Sequence, residues 1–381
     1  MTDKKKVYLF YYGKRKVLER MKRRAVIFAV AGMLAVTSLA GCSKIKESDV
    51  VVSAGDEKIT ATEANFYARY MQAQYETYYG SYLGDNMWAT EASEGKTYEQ
   101  TVKSSLLKEL KNMVVLKEHM DDYDVKLTKD EKKAIKKAAK EFVKANDEKD
   151  ASKVSGDQDT VENVLTYITI EQKMMTAIED TVDTNVSDEE AAQKSMQYVA
   201  YAYVEDDGSG NATAVSDDKK AELKAQAEKF AEGAKTAEDF EAYANEQGAE
   251  LRTATFDSET TTPNKELIKA ADALEEGGVT DLIETDEGCY IAKVTSLFDK
   301  DATDTKKESI ISERKSDLFT KTCKDWIKKE GVKADKKVWK KISFTDLSVK
   351  IKQDETEENS DTSADSTTDV SDSSESDNAS E

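Results

Sequence analysis

Two periodicities divide this chain. From Thr60 onward, large apolar and aromatic residues recur at helical spacing: Phe66, Tyr67, Tyr70, Met71, Tyr75, Tyr78, Tyr79 and Tyr82. Thr60-x-x-Glu63 opens that helix as a capping box, in which the hydroxyl and the carboxylate each satisfy a free amide. Just before it, Val50-Val51-Val52 and Gly55-Asp56 predict a small strand and a turn. A loop rich in Gly, Asp and Asn leads to a second helix, with Val102, Leu106, Leu110, Met113 and Val114 on one side. A third starts at Thr128-x-x-Glu131 and carries Ile135, Ala138, Ala139 and Phe142. After a polar link over 146–159, a fourth carries Val161, Val164, Leu165, Ile168, Met175 and Ile178.

The period then shortens to two. Residues 198–204 predict a strand, 205–215 a loop, 217–232 and 237–247 two helices, 251–256 a strand and 265–273 a helix. Gly277-Gly278 ends that helix, and 288–294 alternate as a closing strand. Helical spacing returns from Asp304, with Ile311, Leu318, Phe319, Thr322, Cys323, Trp326 and Ile327 in line and Gly331 as a stop. A weakly alternating segment, 339–349, follows. The expected fold class is α+β, with an α+β unit inserted between helical segments. A stripe containing Phe319 and Trp326 must be buried, so the C-terminal helix is expected to pack back on the first helices.

Charge patterning adds the two ends. Lys14, Arg15, Lys16, Arg20, Lys22, Arg23 and Arg24 precede an almost uncharged run over 25–40 that closes on Leu39-Ala40-Gly41-Cys42. A basic region followed by a short apolar one is a leader pattern, too short for a comfortable membrane span of roughly 20 residues. Leu39–Cys42 resembles a lipobox, in which the cysteine receives lipid and becomes the new N-terminus. The expectation is lipidation at Cys42, anchoring at the outer face of the cell membrane, and removal of residues 1–41; Met21 is an alternative start. An ordinary secretory leader with an incidental Cys42 is the other reading. Removing 1–41, which hold ten Lys/Arg and two Asp/Glu, takes the formal charge from −21 to −29. A nucleic-acid partner is therefore not expected. Residues 354–381 hold eleven acids, no Lys, Arg or aromatic, and many Ser and Thr, so a disordered acidic tail is expected over 352–381.

Composition also limits the chemistry. With one histidine, His119, in the whole chain, histidine triads and multi-histidine metal sites are excluded, and no metal or cofactor is expected. His119 falls near a helix C-terminus, where capping or solvation is the plain reading. Cys289 and Cys323 lack metal-site spacing and are read as free, semi-buried thiols, with a disulfide left open. The aromatic stripe from Tyr67 to Tyr82 reads either as a core face with hydroxyls at its rim or, in part, as an adaptable surface for unfolded chains.

Four stretches carry a family resemblance. Residues 52–60 look like a "V-N-G-x-x-I-T" opening strand and turn, and 185–190 like a linker helix. Residues 236–244 are similar to "G-x-D-F-x-x-L-A", and 273–280 with 287–294 to "L-x-x-G-x-x-S … G-[YF]-H-I-I-K-V". In this order after a lipobox, they resemble the PrsA-type foldase lipoproteins and SurA-like chaperones, in which a helical chaperone region surrounds a parvulin-type peptidyl-prolyl isomerase domain. The resemblance implies a helical chaperone region over 42–196, a parvulin-like domain over 197–298 and a returning helix over 299–351. It implies unfolded secreted polypeptides as partners and leaves a homodimer open. Tyr67, Tyr70, Met71, Tyr75, Tyr78, Tyr79 and Tyr82 are the client-binding candidates.

Departures from the parvulin pattern fall at its chemistry. Tyr201 and Tyr290 stand where the resemblance places two histidines, the loop after 247 is short, and Asp272 falls where a pocket Phe belongs; Phe256 and Leu267 are the other pocket candidates. Prolyl rotation faces a barrier of about 18–20 kcal/mol, so a pocket must favour the twisted amide. The resemblance thus implies a membrane-tethered extracytoplasmic foldase with weak or lost isomerase activity. An active peptidyl-prolyl isomerase is the alternative. A solute-binding lipoprotein is a third, and it would need two α/β lobes that this pattern lacks.

Overall fold

The structure, a computed structural model, describes residues 45–351 except Asp85, Glu94 and 207–211, together with the backbone of Leu34–Ser38. Cys42, the rest of the leader and the acidic tail lie outside the described residues. The chain is α+β and divides into two compact units, 1–177 with 322–381, and 178–321.

In the first unit, strand β1 is Leu34–Ser38, and a hairpin follows from β2 (Val50–Ala54) and β3 (Glu57–Thr60). Its two-residue turn uses Gly55 at φ +53°, a conformation that glycine adopts without strain. Helix α1 (Ala61–Leu83) starts from the Thr60 cap, where both capping-box bonds form. Helices α2 (Tyr98–Glu118), α3 (Lys129–Ala145) and α4 (Gln158–Glu179) follow, and Thr97 and Thr128 provide further capping boxes. The link expected over 146–159 also holds a short helix, Glu148–Lys153, begun by the Asp147 side chain. In α4 the fully buried methionine is Met174 rather than Met175.

The second unit is built on a four-stranded antiparallel sheet. Its strands are β4 (Lys194–Ala202), β5 (Leu251–Phe256), β6 (Ile283–Glu284) and β7 (Gly288–Ser296), in the order β6-β7-β4-β5. Helices α5 (Asp217–Ala234) and α6 (Phe240–Glu246) cover one face through Ala227, Phe230, Phe240 and Ala244, against Val199, Cys289 and Ile291. Helix α7 (Lys265–Asp272) covers the other face through Leu267, Ile268 and Ala271, against Met196, Phe256 and Ala292. Because both faces are buried, β7 reads Gly-Cys-Tyr-Ile-Ala, apolar on both sides. Asp257, just past β5, accepts from Gln193 and Lys306 at 2.8 and 2.9 Å and so ties the sheet edge to the helix that leaves β7. Although burial opposes its charge, these donors hold the carboxyl well below the usual range.

Helix α8 (Lys300–Lys329) leaves the second unit and ends in the first, where Gly331 at φ +61° stops it as expected. Its last turns stack Trp326 on His119, ring centroids 4.0 Å apart. The stretch 339–349, expected to alternate as one segment, is instead split. Strand β8 (Lys333–Ala334) adds to β2, helix α9 (Lys336–Lys340) carries Trp339, and strand β9 (Leu347–Ile351) follows. Trp339, Ile342, Phe344, Leu347 and Val349 enter the same core as Phe66, Leu106, Leu110 and Phe142.

Candidate functional site

Two surfaces hold the residues singled out above, one in each unit. On α1, position along the helix decides what each aromatic does. Phe66 and Tyr67 sit where α1 is covered on several sides; Tyr67 is 3 % exposed and donates to Glu109 Oε2 of α2 at 2.5 Å. Burial, and then the Glu109 charge, raises its hydroxyl pKa well above the ordinary value. Tyr75 is also buried, packed edge-on to Trp88 and Tyr98 at 5.9 and 6.0 Å. Tyr67 and Tyr75 are therefore core residues, which corrects their place among the client-binding candidates. Tyr70 and Met71 are half-buried against the core.

The helix then outlasts its cover. Tyr78, Tyr79 and Tyr82 are 64 %, 50 % and 89 % exposed, and Leu83 is exposed beside them. Positions 75, 78, 79 and 82 follow i, i+3, i+4, i+7, so one stripe continues from a buried ring into three solvent-facing phenols. Gly84, at φ +73°, ends the helix there. Rigid, amphipathic rings on a terminated helix offer apolar area with little side-chain entropy to lose.

A row of buried polar residues lies on α1 where the spacing gave no expectation. Arg69, Gln72 and Glu76 are 6 %, 0 % and 7 % exposed. Arg69 donates to Gln72 Oε1 at 2.6 Å and to the Ser343 carbonyl at 2.8 Å. Gln72 donates to Glu76 Oε1 at 2.6 Å and to the Phe344 carbonyl at 3.1 Å. Glu76 also accepts from Trp88 Nε1 at 2.7 Å, Ser348 Oγ at 2.6 Å and the Val349 amide at 2.8 Å. The row fastens the C-terminal segment to the tyrosine helix. Its only signal in the sequence is the i, i+3, i+7 spacing of three polar side chains.

In the second unit, strand register places the pocket candidates. Tyr201 pairs with Cys289 and Tyr290 pairs with Ala200, so the two tyrosines project from opposite faces. Tyr201 packs with Phe230 and the α5–α6 layer, whereas Tyr290 packs with the α7 layer. Whether the two face one pocket is a question the sequence leaves open, and the register answers it: a one-residue offset reverses a strand side chain. The partner of Tyr290 on its own face is Tyr198, a residue the family resemblance does not single out. Burial foremost, then the Glu287 and Tyr198 charges, push the Tyr290 hydroxyl above its ordinary pKa.

Phe256 and Leu267 lie in the same cluster as Tyr198 and Tyr290, both at 0 % exposure. They fill the space beneath the tyrosines rather than lining an opening. Asp272 is not part of the cluster; it is paired with Lys194 at 3.0 Å. Cys289 lies on the opposite face, its sulfur 3.0 Å from the Tyr203 hydroxyl. A cleft of about 420 Å³ in this unit lies elsewhere, lined mainly by polar and charged residues, among them Glu238, Asp239, Glu241, Glu276 and Lys293, with Phe240 and Val294 also reaching it. The face around Tyr290 can donate and accept hydrogen bonds. Among the described residues, no three His, Cys, Asp or Glu side chains group to hold a metal, and no helix is long and apolar enough to cross a membrane.

Residues 206–307 match a family model described as the PPIC-type PPIASE domain. That unit is similar to peptidyl-prolyl isomerase domains. The match starts after β4, so the strand bearing Tyr198 and Tyr201 lies outside it. No curated protein matches the chain. Among solved structures, the foldase protein PrsA from Streptococcus pneumoniae is 20 % identical over 66 % of this chain and 96 % of that one, with a TM-score of 0.28. PrsA from Bacillus cereus is 16 % identical over 79 % and 98 %, also at 0.28. A SurA-like chaperone structure from Campylobacter jejuni is 9 % identical over 76 % and 100 %, at 0.26.

Proposed function

We propose that this chain is an extracytoplasmic chaperone of the foldase type, held at the membrane by lipid on Cys42, which retains unfolded secreted polypeptides on the exposed end of α1. The observation that carries the reading is the tyrosine stripe. Tyr78, Tyr79 and Tyr82 remain uncovered on a helix whose other end is core. Such a surface binds many sequences shallowly, which suits a holdase and not a selective receptor. The leader ending in Leu39-Ala40-Gly41-Cys42 supports the location, and the family match over 206–307 supports a link to protein folding. In this reading the parvulin-like unit contributes little isomerisation, because Tyr201 and Tyr290 stand on opposite faces of the sheet and the buried Phe256 and Leu267 fill the cluster around Tyr290.

A photo-crosslinking amino acid at position 79 tests the assignment. Unfolded client should be captured there and not by the same group at Lys137, an exposed site on α3; equal capture at both would count against the patch. The family match also favours a second reading, an active peptidyl-prolyl isomerase in the same place, which a proline-peptide assay separates from the first.

A further inference from the structure

Strand β9 has two edges, and they are served differently. On one, the Leu347 carbonyl accepts from Gln72, the Val349 amide donates to Glu76, and the Ile351 amide donates to Thr77 Oγ1 at 3.0 Å. Alternate residues of a strand direct their amide and carbonyl to opposite edges. Ser348 and Lys350 therefore present theirs to the other edge, where the backbone of β1 runs antiparallel, Thr37 facing Ser348 and Ala35 facing Lys350. These are the facing pairs that exchange hydrogen bonds.

Residues 34–38, Leu-Ala-Val-Thr-Ser, belong to the leader that the motif ending at Cys42 marks for removal. Their loss would leave the amides and carbonyls of Ser348 and Lys350 without their strand partner, an open template of the kind that pairs with any extended chain. Folding back of α1 cannot close it, since the α1 side chains already occupy the opposite edge. The segment seated there shows the occupant the edge takes: extended, antiparallel, uncharged, with small and β-branched residues.

We propose that the free edge of Leu347–Ile351 is a strand-pairing site for an extended segment of a client polypeptide. The inference rests on the leader removal proposed above and does not depend on the tyrosine patch. Backbone pairing is indifferent to side-chain sequence, so the edge would add affinity to clients without narrowing their range.

The probe is a fluorescein-labelled peptide of the 34–38 sequence flanked by lysines, titrated by anisotropy into the full chain and into the processed chain beginning at Cys42, both in the same mild detergent. The expected result is binding to the processed chain at least tenfold tighter than to the full chain. N-methylation of the peptide at the residues matching Ala35 and Thr37 should weaken binding at least tenfold. Lys350→Pro, at an exposed edge position, should do the same from the protein side; the N-methyl arm reads the point on unaltered protein if that variant does not fold. Equal binding of the parent and N-methylated peptides, or no binding to the processed chain, overturns the proposal. So does dimerisation of the processed chain that Lys350→Pro abolishes, which would assign the edge to a second copy. Aggregation suppression in the same preparations reads the chaperone proposal separately: suppression without peptide binding removes the edge alone, and peptide binding without suppression removes the holdase alone.

Discussion

Tyr201 and Tyr290 stand on neighbouring strands and face opposite ways, because Cys289 and not Tyr290 is the residue across from Tyr201. Each phenol is tied to a different helical layer, Tyr201 beside Phe230 and Tyr290 within the cluster of Phe256 and Leu267. No single peptide bond can contact both. The residue that shares a face with Tyr290 is Tyr198.

A protease-coupled proline-peptide assay should therefore give a rate within about twofold of the uncatalysed one, since the two phenols face opposite ways and neither titrates near neutrality. If catalysis is found, Tyr198→Phe with Tyr290→Phe is the pair that should remove it, while Tyr201→Phe leaves it unchanged. Loss with Tyr201→Phe alone would contradict the register.

Glu76 is the anchor of the C-terminal segment. Glu76→Ala would leave Trp88 Nε1, Ser348 Oγ and the Val349 amide without their acceptor. Stranded buried donors cost about 1–3 kcal/mol each before relaxation, so a loss of about 2–4 kcal/mol is expected for the set. All three tryptophans, Trp88, Trp326 and Trp339, belong to the first unit, so the urea midpoint read by tryptophan fluorescence reports it. Hydrogen exchange at Val349 should accelerate in parallel; an unchanged midpoint would remove the anchor role.

His119 couples the end of α2 to the end of α8. Its ring bonds Asp122 at 2.5 Å and Glu330, and stacks on Trp326. Burial opposes the imidazolium, but the bonds to Asp122 and Glu330 outweigh it and raise the pKa above 6.5. A group whose pKa is raised by folding stabilises fully below its unfolded value, and that contribution is lost as pH rises through the folded value. The difference in urea midpoint between wild type and His119→Gln should thus be largest near pH 5.5–6 and shrink toward pH 8.5 or so. A difference that grows with pH would contradict this.

Cys289 and Cys323 are free and buried, one in each unit. Burial foremost pushes the Cys323 thiol up to about 12 and also raises that of Cys289. Neither should react with a thiol reagent in native conditions at neutral pH, because reaction needs the accessible thiolate. Pulsed labelling in rising urea should report the opening of each unit by its own cysteine. Rapid native labelling of either would contradict the burial.

Much of the fold was legible because it is local. Two Thr-x-x-Glu caps, the strand at 251–256 and the Gly331 stop follow from short-range chemistry, and the α+β order followed from the change of period at 198. What was not legible depends on partners far along the chain. The face of a strand residue depends on register, which is what sets Tyr201 apart from Tyr290 and brings Tyr198 beside it. Exposure along α1 depends on what covers each turn, so a uniform run of tyrosines concealed the change from core at Tyr75 to surface at Tyr78. The Arg69-Gln72-Glu76 row gains its meaning from carbonyls and amides some 270 residues later.

The most direct test of the central claim is suppression of aggregation of a chemically unfolded model protein by the chain and by its Tyr78→Ser/Tyr79→Ser/Tyr82→Ser variant. These three side chains are exposed, so the variant should keep the wild-type urea midpoint. The account predicts that the wild type suppresses aggregation at stoichiometric ratios and that the variant loses most of that effect while remaining folded. Equal suppression by both, or none by the wild type, would contradict it.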